Sequence, residues 1–172
     1  MRARAGRAAL VTLVAIAAAL AGCAGRRLEN GVYHSEYGYR VTVPPSGWTV
    51  VNHSPADLEL RRADGRAGIL AAATCRPAVA RRLSATLARH LLLGLRERET
   101  LEENPASLAG WRGVHQVVEG RMQDSAERVR IESYTVKAGR CVYDLVYVAP
   151  PASFEATRDD FTRFVESFAA ER

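Results

Sequence analysis

Lysine is nearly missing from this chain. Lys137 is the single one among 24 Lys+Arg, so the cationic surface is an arginine surface. Cysteine is scarce, at three in 172 residues. The chain contains no Gly-x-Ser-x-Gly, no His-Glu-x-x-His and no phosphate-cradling glycine loop, and so lacks the common nucleophile, zinc-protease and nucleotide signatures. Internal repeats and low-complexity segments are also absent after the N-terminal stretch. The apolar run Leu10 to Ala21 is 12 residues long, well short of the roughly 20 that a membrane-spanning helix needs.

That short run is the most informative stretch present. Arg2, Arg4 and Arg7 precede it and small residues end it, the layout of an export signal. Its close, Leu20-Ala21-Gly22-Cys23, resembles the bacterial lipobox. The resemblance implies cleavage before Cys23, a diacylglyceryl thioether on its sulfur and a further acyl chain on its new amino group. Two or three acyl chains anchor stably, whereas one is marginal. Ala24 in place of Asp implies outer-membrane sorting where the host has two membranes. The competing reading is an ordinary signal peptide followed by a chance cysteine. The expected organisation is a signal peptide over 1–22, a lipidated tether over 23–30, with Arg26 and Arg27 near anionic headgroups, and one domain over 31–172.

Removing 22 residues leaves 150, a common size for one domain, with enough core to fold without metal or disulfide. Three arginines leave with the signal and no acid does, so the formal charge falls from +5 to about +2. A nearly balanced surface outside the cytoplasm argues against a nucleic-acid partner.

Tyr37, Tyr39, Val41 and Val43 alternate with polar residues and read as a strand ended by Pro44-Pro45. Trp48 to Val51 and Leu58 to Arg61 read as further strands, and Asp64-Gly65 as a hairpin turn into Ala67–Cys75. Val79, Leu83, Leu87, Leu91 and Leu95 recur every four residues and predict one amphipathic helix from Pro77 to about Glu102, closed by Asn104-Pro105. Strands are expected over Gly113–Met122, Glu127–Lys137 and Cys141–Ala149, the last apolar on both faces and therefore interior. A second helix, capped by Ser153, carries Phe154, Phe161, Phe164, Val165 and Phe168. The fold class is α+β: a mainly antiparallel sheet of six to seven strands flanked by two amphipathic helices.

Three segments resemble one family. Tyr37-Gly-Tyr-Arg-Val-Thr-Val-Pro-Pro-Ser-Gly-Trp48, Leu108-Ala-Gly-Trp-Arg-Gly113 and Phe161-x-x-Phe164-Val-Glu-Ser-Phe168 are similar in order and spacing to motifs of the PsbP-like α/β/α sandwich family. The resemblance spans Gly31 to Phe168. It implies that fold, core roles for Trp48 and Phe168, and a habit of binding or stabilising other components. It carries over no catalytic residue and no cofactor.

The residues themselves point to little chemistry. His34, His53, His90 and His115 are scattered. His34 and His53 flank the first hairpin, and a metal site there would need a third donor such as Glu36 or Asp57, so no metal is expected. Asp144 is a carboxylate on an otherwise apolar strand and calls for a pocket or an arginine partner, Arg128 or Arg130 on the neighbouring strand. Cys75 and Cys141 are an even pair in an oxidising compartment, able to form a disulfide if their strands are neighbours, or to fill the core as thiols. The function expected is a non-catalytic interaction or assembly module, held in the cell envelope by its lipid anchor, with a protein partner there. The alternative is a small-ligand or lipid carrier. Nothing in the sequence sets an oligomeric state.

Overall fold

The computed structural model describes residues 27–170 apart from Leu83, Leu93, Asp124 and Ala126, and leaves out the side chains of Arg89, His90 and Leu91. The signal peptide, Cys23 and the start of the tether lie outside the described residues, as does the side chain of His90.

Two antiparallel sheets carry the fold. The smaller has strand order β1 (Leu28–Glu29), β2 (Val32–His34), β3 (Tyr39–Thr42) and β11 (Ala169–Ala170). The larger runs β4 (Trp48–Val50), β5 (Leu58–Arg62), β6 (Gly68–Thr74), β10 (Cys141–Ala149), β9 (Arg128–Ala138), β8 (Trp111–Met122) and β7 (Leu95–Leu108). The short helices are α1 (Pro77–Ala80) and α2 (Ser84–Leu91); a 3-10 turn (Pro151–Ala156) leads into α3 (Arg158–Glu166).

β10 sits inside the larger sheet between β6 and β9. Its register aligns Leu145 with Ala71 and Tyr134, and Tyr147 with Ile69 and Glu132. These residues share one face, where Leu60, Ile69, Leu145 and Tyr147 pack with Phe154, Phe161, Phe164 and Phe168 and with Tyr33, Tyr39 and Val41 of the smaller sheet. Asp144, Val146 and Val148 point to the other face. There Leu92 and Leu95 pack with Val118 and Val129, and the α1–α2 segment covers the sheet. The architecture is the expected α+β arrangement with layers on both sheet faces. The side chains of Cys75 and Cys141 are apposed, because antiparallel β6 and β10 put the end of one beside the start of the other.

Three expectations need correction. The helix expected over Pro77–Glu102 ends at Leu91, and Leu95–Leu108 is a strand paired with β8. Arg96 to Asn104 is exposed, and its Arg, Glu and Leu are helix formers, so local propensity pointed the wrong way. The two-residue turn Ala109-Gly110, with positive φ at both positions, folds β7 onto β8, and tertiary pairing wins. Pro105 is tolerated because β7 is an edge strand. Residues 28–30, assigned to the tether, join the smaller sheet, since Asn30-Gly31 is itself a hairpin turn with positive φ at both residues. Ser153 is not the cap of the last helix: Pro151 starts a 3-10 turn earlier, and Thr157 precedes α3.

Gly113 is required by packing rather than by φ. A Cβ there would run into the Thr135 carbonyl and the Val136 side chain on β9. Gly113→Ala is therefore expected to cost about 1–3 kcal/mol. Thermal denaturation should show the midpoint lowered by roughly 2–4 °C per kcal/mol.

Candidate functional site

The open side of the molecule lies where edge strands β1 and β4 of the two sheets border one cleft of about 450 Å³. The β1–β2 hairpin supplies Arg27, Leu28 and Tyr33; the segment from β4 into β5 supplies Val50, His53 and Asp57. Leu28 and Val50 are 44% and 43% exposed on the rim of the cleft. The connecting loop is shaped by Ser54, whose hydroxyl donates to Glu59 Oε2 at 2.6 Å and accepts the Ala56 N–H at 3.1 Å. His53 sits at the positive φ of 61°.

Asp57 is held by two tyrosines. The Tyr33 hydroxyl donates to its carbonyl oxygen at 2.7 Å, and the Tyr39 hydroxyl to Oδ2 at 3.1 Å. Tyr39 is locked in an aromatic cluster with Tyr143 and Phe168, at centroid distances of 5.4 and 5.9 Å. Burial raises the Asp57 pKa above the ordinary carboxylate value, against the lowering effect of the Tyr39 and Ala73 hydrogen bonds. Burial and the neighbouring Asp57 charge push the Tyr39 phenol well above its usual range, so it acts as a donor. The nearby cation is engaged elsewhere: Arg27 pairs with Glu36 at 2.8 Å.

His34 does not meet His53. It lines a different cleft of about 350 Å³ with Arg40 and Ala169. Among the described residues no group of three His, Cys, Asp or Glu side chains could hold a metal.

A second polar constellation is internal. Glu132 is buried and receives Arg158 Nε at 2.8 Å, with His115 Nε2 2.9 Å from its other oxygen. Burial pushes its pKa up, but the hydrogen bonds and charges of His115 and Arg158 outweigh this and hold it below the ordinary range. Arg158 opens α3, so the network fastens that helix to the sheet. Among the described residues Glu132 is the one side chain hydrogen-bonded to His115. The sequence signal, a glutamate two residues before Tyr134, is too common to be diagnostic.

Asp144 departs from expectation. Arg128 and Arg130 pair with Glu119, not with Asp144. The register explains this: Asp144 lies opposite Thr135, and Arg130 opposite Ala149, on the other sheet face. Asp144 instead accepts the Thr135 hydroxyl at 2.6 Å, and burial pushes its pKa up to about 6. Between pH 3.8 and about 6 the folded protein keeps this proton longer than the unfolded chain, so this residue's effect on stability becomes less favourable as pH rises through that window. Asp144→Asn can keep the Thr135 bond. It should raise stability by about 1–3 kcal/mol at pH 8 and leave it nearly unchanged at pH 3.5, as read by urea unfolding at the two pH values.

No family model matches the chain, and no curated protein matches it in sequence. Solved structures do. The chain is similar to cyanobacterial PsbP (CyanoP) from Synechocystis sp. PCC 6803, with TM-score 0.57 and 15% identity, covering 87% of this chain and 98% of that one. It is similar to LpqN of Mycobacterium tuberculosis, named as involved in cell envelope biogenesis, with TM-score 0.58 and 14% identity over 83% of this chain and 93% of that one. The Ran-binding protein Mog1p of Saccharomyces cerevisiae matches with TM-score 0.55 and 14% identity over 83% and 96%. Identities this low speak for the fold alone, and the fold is PsbP-like α+β.

Proposed function

We propose that this PsbP-like domain is a non-catalytic interaction module, carried as an envelope lipoprotein on an acylated Cys23. The observation that carries the reading is the position of the 450 Å³ cleft: its rim includes Arg27 and Leu28, the first described residues after the lipobox. Three residues separate Cys23 from Arg27. At roughly 3.3–3.6 Å per residue the cleft stays within about 14 Å of the acylated sulfur's own residue. A partner would meet the domain close to the bilayer.

Other observations support a module over a carrier or an enzyme. Both sheet faces are packed, by aromatic residues on one side and by Leu92, Leu95, Val118 and Val129 on the other. An acyl-chain carrier needs a deep apolar cavity, whereas the clefts above are open and partly polar. Mog1p, of the same fold, is named for binding a protein, and LpqN for envelope biogenesis.

In the native host, the mature protein should fractionate with membranes, and Cys23→Ser should release it or leave it uncleaved. Absence of an acyl group on wild-type Cys23 by mass spectrometry would remove the anchor from this reading. We also propose that Cys75 and Cys141 stay oxidised in that compartment. The bridge closes a loop with a sequence separation of 66, for which chain entropy gives about 4 kcal/mol of stabilisation. Peptide mapping without reductant should recover the linked pair; two alkylatable thiols would show that they are not joined.

A further inference from the structure

Among the described residues, four of the six non-exposed carboxylates are neutralised internally: Glu59, Glu119, Glu132 and Asp160 each sit in an ion pair. Two do not. Asp144 faces inward, onto the sheet face covered by α1 and α2, and has Thr135. Asp57 faces a cleft, and no described cation forms an ion pair with it although Arg27 stands nearby, bound to Glu36. A half-buried carboxylate without a counter-ion is costly, and the cost is recovered when a cation arrives.

We infer that the Asp57 cleft takes an arginine side chain of a protein partner. Three features of the cleft fit that group. Tyr39 occupies one carboxylate oxygen from the core side and orients the carboxylate, while the Tyr33 hydroxyl is spent on the Asp57 carbonyl. The Ala73 backbone N–H also bonds this carboxylate; its remaining lone pairs can accept N–H donors, and a guanidinium supplies a planar fork of them. Leu28 and Val50 offer exposed apolar wall to the aliphatic stem, and guanidinium is more weakly hydrated than ammonium. The volume, about 450 Å³, admits one long side chain and some of its backbone. Edge strands β1 and β4 border the same cleft, so the segment bearing the arginine has backbone groups to pair with.

This assignment rests on the interaction-module reading for the source of the arginine, but the chemistry of the cleft can be tested apart from it. The mature acylated chain, in detergent micelles, is titrated with N-acetyl-arginine amide and, separately, with the neutral isostere N-acetyl-citrulline amide, followed by amide NMR shifts. Saturable shifts centred on Asp57, His53 and Leu28 are expected for the arginine amide, with binding at least tenfold weaker for citrulline amide. Asp57→Asn, which can still accept the Tyr39 hydroxyl, should weaken arginine-amide binding at least tenfold, while Asp144→Asn should leave it unchanged. Equal binding of the two amides, no saturable shift at the cleft, or a response only to O-phosphoethanolamine, which would mark a membrane-headgroup site, overturns the proposal. The amide comparison needs no variant, so it decides the matter even if Asp57→Asn does not fold. A photo-crosslinker in place of Val50, compared with one in place of Glu99 on β7, separates the two readings. Capture of an envelope protein from Glu99 only would keep the module and discard the cleft; capture from Val50 through a segment whose arginine is required supports both.

Discussion

Everything in this fold is referred to a strand covered on both faces. β10 carries Tyr143, Leu145 and Tyr147 to one side and Val142, Val146 and Val148 to the other, and both sets are packed. A one-residue slip would exchange the two faces and drive Asp144 into the aromatic core. Register is therefore strongly specified at the centre of the sheet, and the neighbours inherit it. β6 and β9 align on β10, β8 aligns on β9, and the Cys75–Cys141 apposition follows from the β6–β10 register.

The domain treats its three inward carboxylates differently, and the differences divide structure from function. Glu132 is pinned between His115 and Arg158, so its ionised form is the one the fold needs. Asp144 has a hydroxyl and no cation, so its neutral form is favoured. Asp57 is partnered by two tyrosine hydroxyls on the core side and opens to a cleft on the other. The first two are closed arrangements inside the sheet layers. The third leaves acceptor capacity facing outward, which is what an interaction surface requires.

The long β7 edge shows the opposite treatment. Its 14 residues are almost wholly exposed, with Glu and Arg along the strand, a register shift between Arg96 and Glu99, another between Thr100 and Glu102, and Pro105 near its end. Charge, bulges and proline are devices that discourage strand addition. The edges at β1 and β4 are short and expose Leu28 and Val50 beside the Asp57 cleft.

Sequence by itself determined the strands whose pattern is intrinsic: β3 through Tyr39 and Val41, the Asp64-Gly65 hairpin, β10 through its two apolar faces, and the α+β class that follows. Alternation and turn chemistry are local, so they can be read from a chain. The segment Leu95–Leu108 was beyond that reach, because its residues favour a helix in isolation and become a strand only when β8 lies alongside. The Asp144 partner and the burial of Glu132 were likewise decided by register, which aligns Thr135 rather than Arg130 with the one and brings Arg158 to the other. The cleft at Asp57 is the extreme case. Its walls come from strands of two different sheets, and no spacing along the chain encodes their approach; only packing of the sheets around the aromatic core sets it.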